Sequence, residues 1–363
     1  MAVDGSGLAR PWAGVGTYTS EILRALAAAR PDSRFTVYTL AEPSGEWPPA
    51  LAFRRQPAAR FVGRHLLWPA RLRRLRADVY LGPAGLLPLG GVGGMPAVVT
   101  AHDMAIYRHP EWFPGGQALS VRLVVPRSMR RAAVVVAVSA CTAGDVAELF
   151  GVGPDRMEVV PEGVAGRFRP LPSEQVEAFR LRYRLPERFV LFVSTIEPRK
   201  NLMTLLDAWS RMRERPPLVV AGSWGWSYEG VRERMERLGP DLRLLGAVPP
   251  DDLPGLYNLA TCLAHPAWYE GFGLTPLEAM ACATPVVVSS ASSLPEVVGD
   301  AGLLVDPADV EGWTGALERV TGDADLAATL RRRGLLRAAE FGWDRAAERT
   351  WRVLDRVLRD ARG

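Results

Sequence analysis

His265-Pro266-Ala267-Trp268-Tyr269-Glu270-Gly271-Phe272-Gly273-Leu274-Thr275-Pro276-Leu277-Glu278-Ala279-Met280 follows the apolar run Cys262–Ala264 and enters the helical pattern Glu278–Ala281. Strand, glycine-containing turn and helix, in that order, form the repeating joint of a parallel α/β sheet. Glycines in such a turn let a ligand approach bare backbone N–H groups at the helix start, a cradle for phosphate or sugar hydroxyls. Glu270 precedes the turn and Glu278 lies one turn into the helix, so the two carboxylates can flank a ligand lying across the helix start.

Short apolar runs rich in β-branched residues alternate with amphipathic stretches along the rest of the chain. The strand-like runs are Phe35–Leu40, Asp78–Leu81, Ala97–Ala101, Val134–Val138, Phe189–Val193, Leu218–Ala221, Leu242–Leu245, Cys262–Ala264, Val286–Val288 and Gly302–Val305. Helical patterns such as Thr19–Ala29 and Leu202–Arg213 lie between most of them. Continuous rather than alternating apolarity belongs to strands covered on both faces, hence to parallel sheets wrapped by helices. Two such series separate around Pro161–Pro186, a stretch with four prolines that reads as a linker. The expectation is two doubly wound α/β domains, residues 1–165 and 166–342, facing a cleft, with a terminal helix in 343–363. That helix carries Trp343, Ala347, Thr350, Trp351, Leu354 and Leu358 on one stripe. The first strand, Met1-Ala2-Val3 before Asp4-Gly5, is unusually short.

Bulk composition is that of an ordinary globular protein of 363 residues, 48% hydrophobic and 23% charged. There is no apolar run of transmembrane length and no signal-peptide pattern at the start. Cys141, Cys262 and Cys282 form neither a disulfide framework nor a metal-spaced pair, which suits a reducing cytoplasm. Charge is uneven. Residues 1–150 hold 17 Arg against 10 Asp and Glu, and eight of those Arg fall between Arg54 and Arg76. With Phe61, Leu66, Leu67 and Trp68 interleaved, that segment fits peripheral contact with an anionic membrane or a lipid-phosphate acceptor, and equally a solvated helix face. From Leu244 to Glu318 there is no Arg or Lys, so an anion bound to this half needs cations from elsewhere.

The chain has a single lysine, Lys200, among 44 basic residues. A compact ammonium kept in an otherwise all-arginine background points to a site needing that shape, and a diphosphate is the usual candidate. It stands in Ser194-Thr195-Ile196-Glu197-Pro198-Arg199-Lys200-Asn201, just after a strand.

These motifs together resemble the family 4 glycosyltransferases. Glu270 and Glu278 stand at the family's Glu-x7-Glu spacing within Glu-Gly-Phe-Gly-Leu-x-Pro-Leu-Glu-Ala-Met-Ala. The likeness continues through Thr284-Pro285-Val286-Val287 and Leu294-Pro295-Glu296-Val297-Val298-Gly299-Asp300-Ala301-Gly302. Ile196 to Leu202 resembles the diphosphate-binding Arg-Lys-Asn element, and Gly14-Val15-Gly16-Thr17-Tyr18 the glycine loop. Thr100-Ala101-His102-Asp103 and His109-Pro110-Glu111-Trp112-Phe113 resemble the acceptor-side block.

The resemblance implies the GT-B fold, with the C-terminal helix crossing back to the N-terminal domain. It implies a retaining transferase moving a hexose, GDP-mannose type favoured over UDP-hexose, to a hydroxyl of a glycan, lipid or small molecule. Lys200 and Arg199 would bind the diphosphate, Glu278 the ribose, and Glu270 the sugar hydroxyls. Gly271, Phe272, Gly273 and Leu274 would supply backbone contacts, and Gly14 and Gly16 close approach to the phosphates. His102 would sit over the transferring sugar and Asp103 would help place the acceptor. The nucleoside-diphosphate sugar is a co-substrate; no resident cofactor, metal or nucleic acid is expected. Two positions depart from the pattern. Ser194-Thr195 replaces a frequent Gly-Arg, and Glu162-Gly163-Val164 replaces Asn-Gly-Val, setting a carboxylate where it would repel a diphosphate and so directing it to the hinge or the acceptor.

Other readings have less support. A dinucleotide oxidoreductase would rest on Gly14-Val15-Gly16 alone, without its third glycine. A pyridoxal phosphate phosphorylase would need Lys200 for its Schiff base, and a non-catalytic relative would retain Glu270, Glu278, Lys200 and His102 without use. Asp323-Ala324-Asp325 looks like a metal motif but starts an amphipathic helix, which makes it a capping pair. His65 reads as a surface residue, His109 and His265 precede prolines, with His265 at a strand end facing the cleft, and Trp224 and Trp226 as lining for the nucleotide side.

Overall fold

The computed structural model describes residues 1–9, 14–56, 65, 68–75, 77–114 and 120–362. They form two compact units, one from Met1–Pro110, Gly115–Gly163 and Gly342–Gly363, the other from Glu111–Pro114 and Val164–Phe341.

The first unit carries β1 (Ala2–Asp4), β2 (Phe35–Thr39), β3 (Leu51–Arg55), β4 (Tyr80–Gly82), β5 (Ala97–Ala101), β6 (Val134–Ala137) and β7 (Met157–Val159). They make one parallel sheet in the order β3-β2-β1-β4-β5-β6-β7. The second unit carries β8 (Val190–Val193), β9 (Leu218–Ala221), β10 (Leu242–Gly246), β11 (Cys262–His265), β12 (Val286–Ser289) and β13 (Leu303–Val305). Its parallel sheet runs β10-β9-β8-β11-β12-β13. Each sheet therefore reverses its strand order once, between β1 and β4 and between β8 and β11. In doubly wound sheets ligands bind at such switch points.

Each apolar run singled out in the sequence is a strand. Every residue of β5, β6, β9, β11 and β12 is buried, as two-sided covering requires. The strands at the sheet edges lack that burial: β3 (LAFRR) buries only Leu51, and β7, β10 and β13 bury no residue. The second core gathers Phe192, Leu205, Leu206, Trp209, Trp313 and Leu317. Its two buried indoles are partnered, Trp209 donating to Pro216 O at 2.7 Å and Trp313 to Asp306 O at 3.0 Å.

Two local readings change. The stretch taken as a linker contains a helix, Ser173–Tyr183, which buries no residue and so shows no apolar stripe. The glycine loop is helical, Gly14 and Gly16 lying in the first turn of Gly14–Ala29. Asp323 caps the Ala324–Ala338 helix as expected, its carboxylate accepting from Leu326 N at 2.9 Å.

The terminal helix, Trp343–Asp360, packs on Gly14–Ala29 in the first unit. Its stripe is wider than the sequence suggested, adding Ala346, Val353 and Val357, while Leu358 is only half-buried. Trp351 donates from Nε1 to Leu26 O at 3.1 Å and meets the Phe35 ring edge-on at 6.1 Å. Arg30 lies 4.2 Å above the Trp351 ring and binds Asp355 through two hydrogen bonds of 2.8 and 2.5 Å. The exposed Arg30–Asp355 pair adds little, so the indole dominates this contact. Trp351→Ala should cost about 3–5 kcal/mol of first-unit stability in urea unfolding, whereas Asp355→Ala should cost under about 1 kcal/mol.

Candidate active site

The switch point of the second unit lies between β8 and β11, and the segments leaving their carboxyl ends are 194–201 and 266–273. Backbone and side chain bind the two together. Trp268 N donates to Arg199 O at 2.9 Å, and Arg199 Nη1 donates to Tyr269 O at 3.0 Å. Asn201, in the left-handed region at φ 54°, donates from Nδ2 to Pro266 O at 3.0 Å and Pro307 O at 2.8 Å. Its Oδ1 accepts from Thr204 Oγ1 at 2.8 Å. Asparagine tolerates left-handed backbone better than most residues, so this one side chain turns the chain and braces three segments. The sequence placed Asn201 in a motif without showing that work.

Four charged or ionisable side chains converge here. Glu270 Oε1 lies 2.5 Å from Lys200 Nζ and 2.9 Å from His265 Nε2, while its Oε2 lies 3.1 Å from Arg199 Nη1. Arg199 also holds Glu197 Oε1 at 3.0 Å. Lys200 and Glu270 side chains are each 12% exposed, so these are partly desolvated contacts. Burial opposes ionisation of Glu270, but the Lys200 ammonium and the Arg199 guanidinium outweigh it and hold the carboxyl well below its usual range. Burial, and then Arg199, push the Lys200 ammonium down.

His265 is buried at 1% exposure rather than facing an open surface. Burial lowers its pKa, and its Nδ1 has no hydrogen-bond partner. A neutral ring donating Nε2–H to Glu270 fits both facts, because a second N–H would be left unpaired.

The turn after β11 is held from behind by Ser292 and Ser293. Glu270 N donates to Ser292 Oγ at 2.8 Å, and the buried Ser293 Oγ lies 2.9 Å from Glu270 O and 2.8 Å from Phe272 O. The sequence reading missed both serines; the only local signal was a run of small hydroxyl residues after β12. Gly273 precedes the Leu274–Ala281 helix at φ +116°, and a Cβ there would come 2.9 Å from Leu294 Cδ2. The positive φ is what demands glycine here. Phe272 is 5% exposed and packs edge-on against Phe341, so its side chain is core while its backbone borders the turn. Glu278 is placed apart from Glu270: its Oε2 accepts from the Tyr257 hydroxyl at 3.1 Å. Burial, then Glu278, raises the Tyr257 pKa, which keeps that hydroxyl a donor.

The first unit places His102 just beyond the carboxyl end of β5. Its Nε2 lies 2.7 Å from Pro83 O, and its Nδ1 lies 3.3 Å from Glu162 Oε1. The Tyr18 ring stands edge-on at 4.7 Å. Glu162 is therefore a buried partner of His102, at 4% exposure. Asp103 Oδ1 accepts from Ala105 N at 3.1 Å, which starts the Ala105–Arg108 helix.

Glu111–Pro114 belong to the second unit, where Trp226 Nε1 donates to Trp112 O at 2.6 Å and packs near Phe113. Trp224 instead packs on Tyr228 at 4.9 Å. His65 is buried, contrary to the surface reading, with Nδ1 accepting from Leu89 N at 3.4 Å. Much of the Arg54–Arg76 segment, including Phe61, Leu66 and Leu67, lies outside the described residues; Arg54, Arg55, Arg71, Arg73 and Arg74 are exposed and Trp68 is buried. Among the described residues, no three His, Cys, Asp or Glu gather as a metal site, and no helix is long and apolar enough to cross a membrane.

Comparison with known proteins fits this geometry. The model for glycosyl transferases group 1 matches residues 174–337, and that for glycosyltransferase family 4 matches residues 12–165. The O-antigen chain mannosyltransferase B of Escherichia coli is 32% identical, over 94% of this chain and 95% of its own. A D-inositol 3-phosphate glycosyltransferase of Salinispora tropica is 35% identical over 70% of this chain and 58% of its own. Among solved structures, sucrose-phosphate synthase from Thermosynechococcus elongatus superposes at TM-score 0.81 with 22% identity, covering 99% of both chains. Anabaena HepE in complex with UDP and glucose superposes at 0.76 with 19% identity, covering 98% of both chains. The fold is GT-B. The chain belongs to the family 4 glycosyltransferases.

Glu270→Gln should leave Lys200 and Arg199 without their shared anion and cost about 3–5 kcal/mol in denaturant unfolding. Because the folded Glu270 pKa is depressed, its contribution is present above the unfolded carboxylate value near pH ~4.3 and is lost as pH falls through the folded value. The gap between wild type and variant should therefore narrow toward low pH.

Proposed function

We propose that the protein is a retaining glycosyltransferase that moves a hexose, of the GDP-mannose type, from a nucleoside-diphosphate sugar to a hydroxyl acceptor. The observation that carries this reading is the meeting of Lys200 and Arg199 with Glu270 at the switch point of the second sheet. The mannosyltransferase named among its relatives supports the sugar.

In this reading the donor diphosphate takes over Lys200 and Arg199, and Glu270 turns to the sugar hydroxyls. Exchange of one anion for another keeps the buried cations paired throughout, which avoids the penalty of stranding a charge. Glu278, steadied by the Tyr257 hydroxyl, holds the ribose. Gly271 to Leu274 offer backbone N–H groups to the donor, and Gly14 and Gly16 do so from the first unit. His102 lies over the transferring sugar and Asp103 aids the acceptor. During transfer the bond from the anomeric carbon to the diphosphate oxygen breaks and the bond to the acceptor oxygen forms on the same face. The acceptor proton passes to the leaving diphosphate, whose growing charge Lys200 and Arg199 stabilise without a divalent metal.

Calorimetric titration without added metal should show GDP binding in preference to UDP. Selective UDP binding keeps the enzyme class and overturns the mannose-type donor; binding of neither overturns the donor site. Lys200→Ala should lower kcat/KM by about 10²–10³-fold, the scale for losing one preorganised charge-stabilising group. Glu278→Ala should weaken binding of the free nucleotide, and Tyr257→Phe should do so more mildly. Unchanged nucleotide affinity in Glu278→Ala would remove the ribose assignment.

A further inference from the structure

We propose that His102 works as an imidazolium, with both ring N–H groups committed, and that Glu162 is the positioning residue that keeps it so. The two ring nitrogens face two acceptors, Pro83 O at 2.7 Å and Glu162 Oε1 at 3.3 Å. A neutral imidazole has one N–H and one lone pair, so either neutral tautomer would point a lone pair at an acceptor oxygen. Doubly protonated, the ring satisfies both, and the Glu162 carboxylate balances its charge.

The surroundings favour that state. The Glu162 side chain is 5% exposed and that of His102 15%, so water screens the pair weakly. Tyr18 packs edge-on against the ring and gives its hydroxyl to a contact with Thr100 Oγ1 at 3.1 Å, not to the imidazole. Thr142 Oγ1 donates to the His102 carbonyl at 3.2 Å and fixes the backbone. The charged groups facing the ring are Glu162 and, next in sequence, Asp103, both acidic. Burial alone would lower the His102 pKa, yet hydrogen bond and charge from Glu162 raise it. The contrast with His265 is instructive: that ring has one acceptor, an unpartnered Nδ1 and a lowered pKa.

The consequence is chemical. An imidazolium with both N–H groups bonded is no general base; it offers a fixed, carboxylate-compensated positive charge beside the sheet end. Glu162 stands where the resembled loop usually carries Asn.

The protein has four histidines, which makes ring ¹⁵N NMR tractable. At neutral pH both His102 nitrogens should show the protonated shift, with a titration midpoint above the ordinary value near ~6.5. Glu162→Gln should lower that midpoint at least tenfold in proton affinity and move the alkaline limb of the kcat/KM profile down with it. The conservative Glu162→Asp should restore part of the shift. Stability should follow the same sign: a raised folded pKa gives a contribution complete below about pH ~6.5 and lost as pH rises through the folded midpoint. A single protonated nitrogen in the wild type at neutral pH would overturn the proposal, even were Glu162→Gln unable to fold. An unshifted midpoint in folded Glu162→Gln would do the same. Neither readout depends on donor identity, so failure here is separable from failure of the proposed reaction.

Discussion

The Glu270 carboxylate is the contact on which the second unit's site depends. Two cations and a histidine from two adjacent strand ends share it, largely out of water. Such a cluster has little tolerance for the loss of Glu270, because the Lys200 ammonium would be left as a desolvated charge. The surrounding braces follow from that constraint. Asn201 bends the 194–201 segment onto Pro266, Ser292 and Ser293 hold the turn from behind, and Gly273 lets the chain pass into the helix. The two cations are thus held in place by their shared carboxylate and by these braces.

The first unit solves a different problem. Its helix Gly14–Ala29 is clasped by the terminal helix through Trp351, and the same helix carries Tyr18 to the edge of His102. The residues around His102 therefore come from chain segments distant in sequence, held in one unit by that packing. Histidine chemistry differs between the two units because the partners differ: one ring has two acceptors and the other has one.

Legibility from sequence followed burial. Strands covered on both faces, such as β5 and β9, show as unbroken apolar runs; of the edge strands, β10 and β13 still carry legible apolar runs, whereas β3 and β7 show nothing comparable. The helix Ser173–Tyr183 was hidden for the same reason, since it buries no side chain and needs no stripe. Lys200, Glu270 and Glu278 stood out because rare residue type and spacing are visible without coordinates. The roles of Asn201, Ser292 and Ser293 were not, because a hydrogen bond to a distant carbonyl leaves no periodic trace. Glu162 was visible as a departure, but its partner His102 was not, since that residue lies sixty residues earlier.

By itself the sequence determined the alternation of strand and helix, the two-sheet architecture and the charged residues, Lys200, Arg199 and Glu270, that gather at the second switch point. These depend on local periodicity and residue chemistry, which the chain carries at every position. Only the tertiary structure decided which groups share a proton or a charge: Glu270 with both cations, His265 buried with one partner, and Glu162 with His102. Protonation is set by desolvation and by the nearest few ångströms, and those distances exist only once strands far apart in the chain lie side by side.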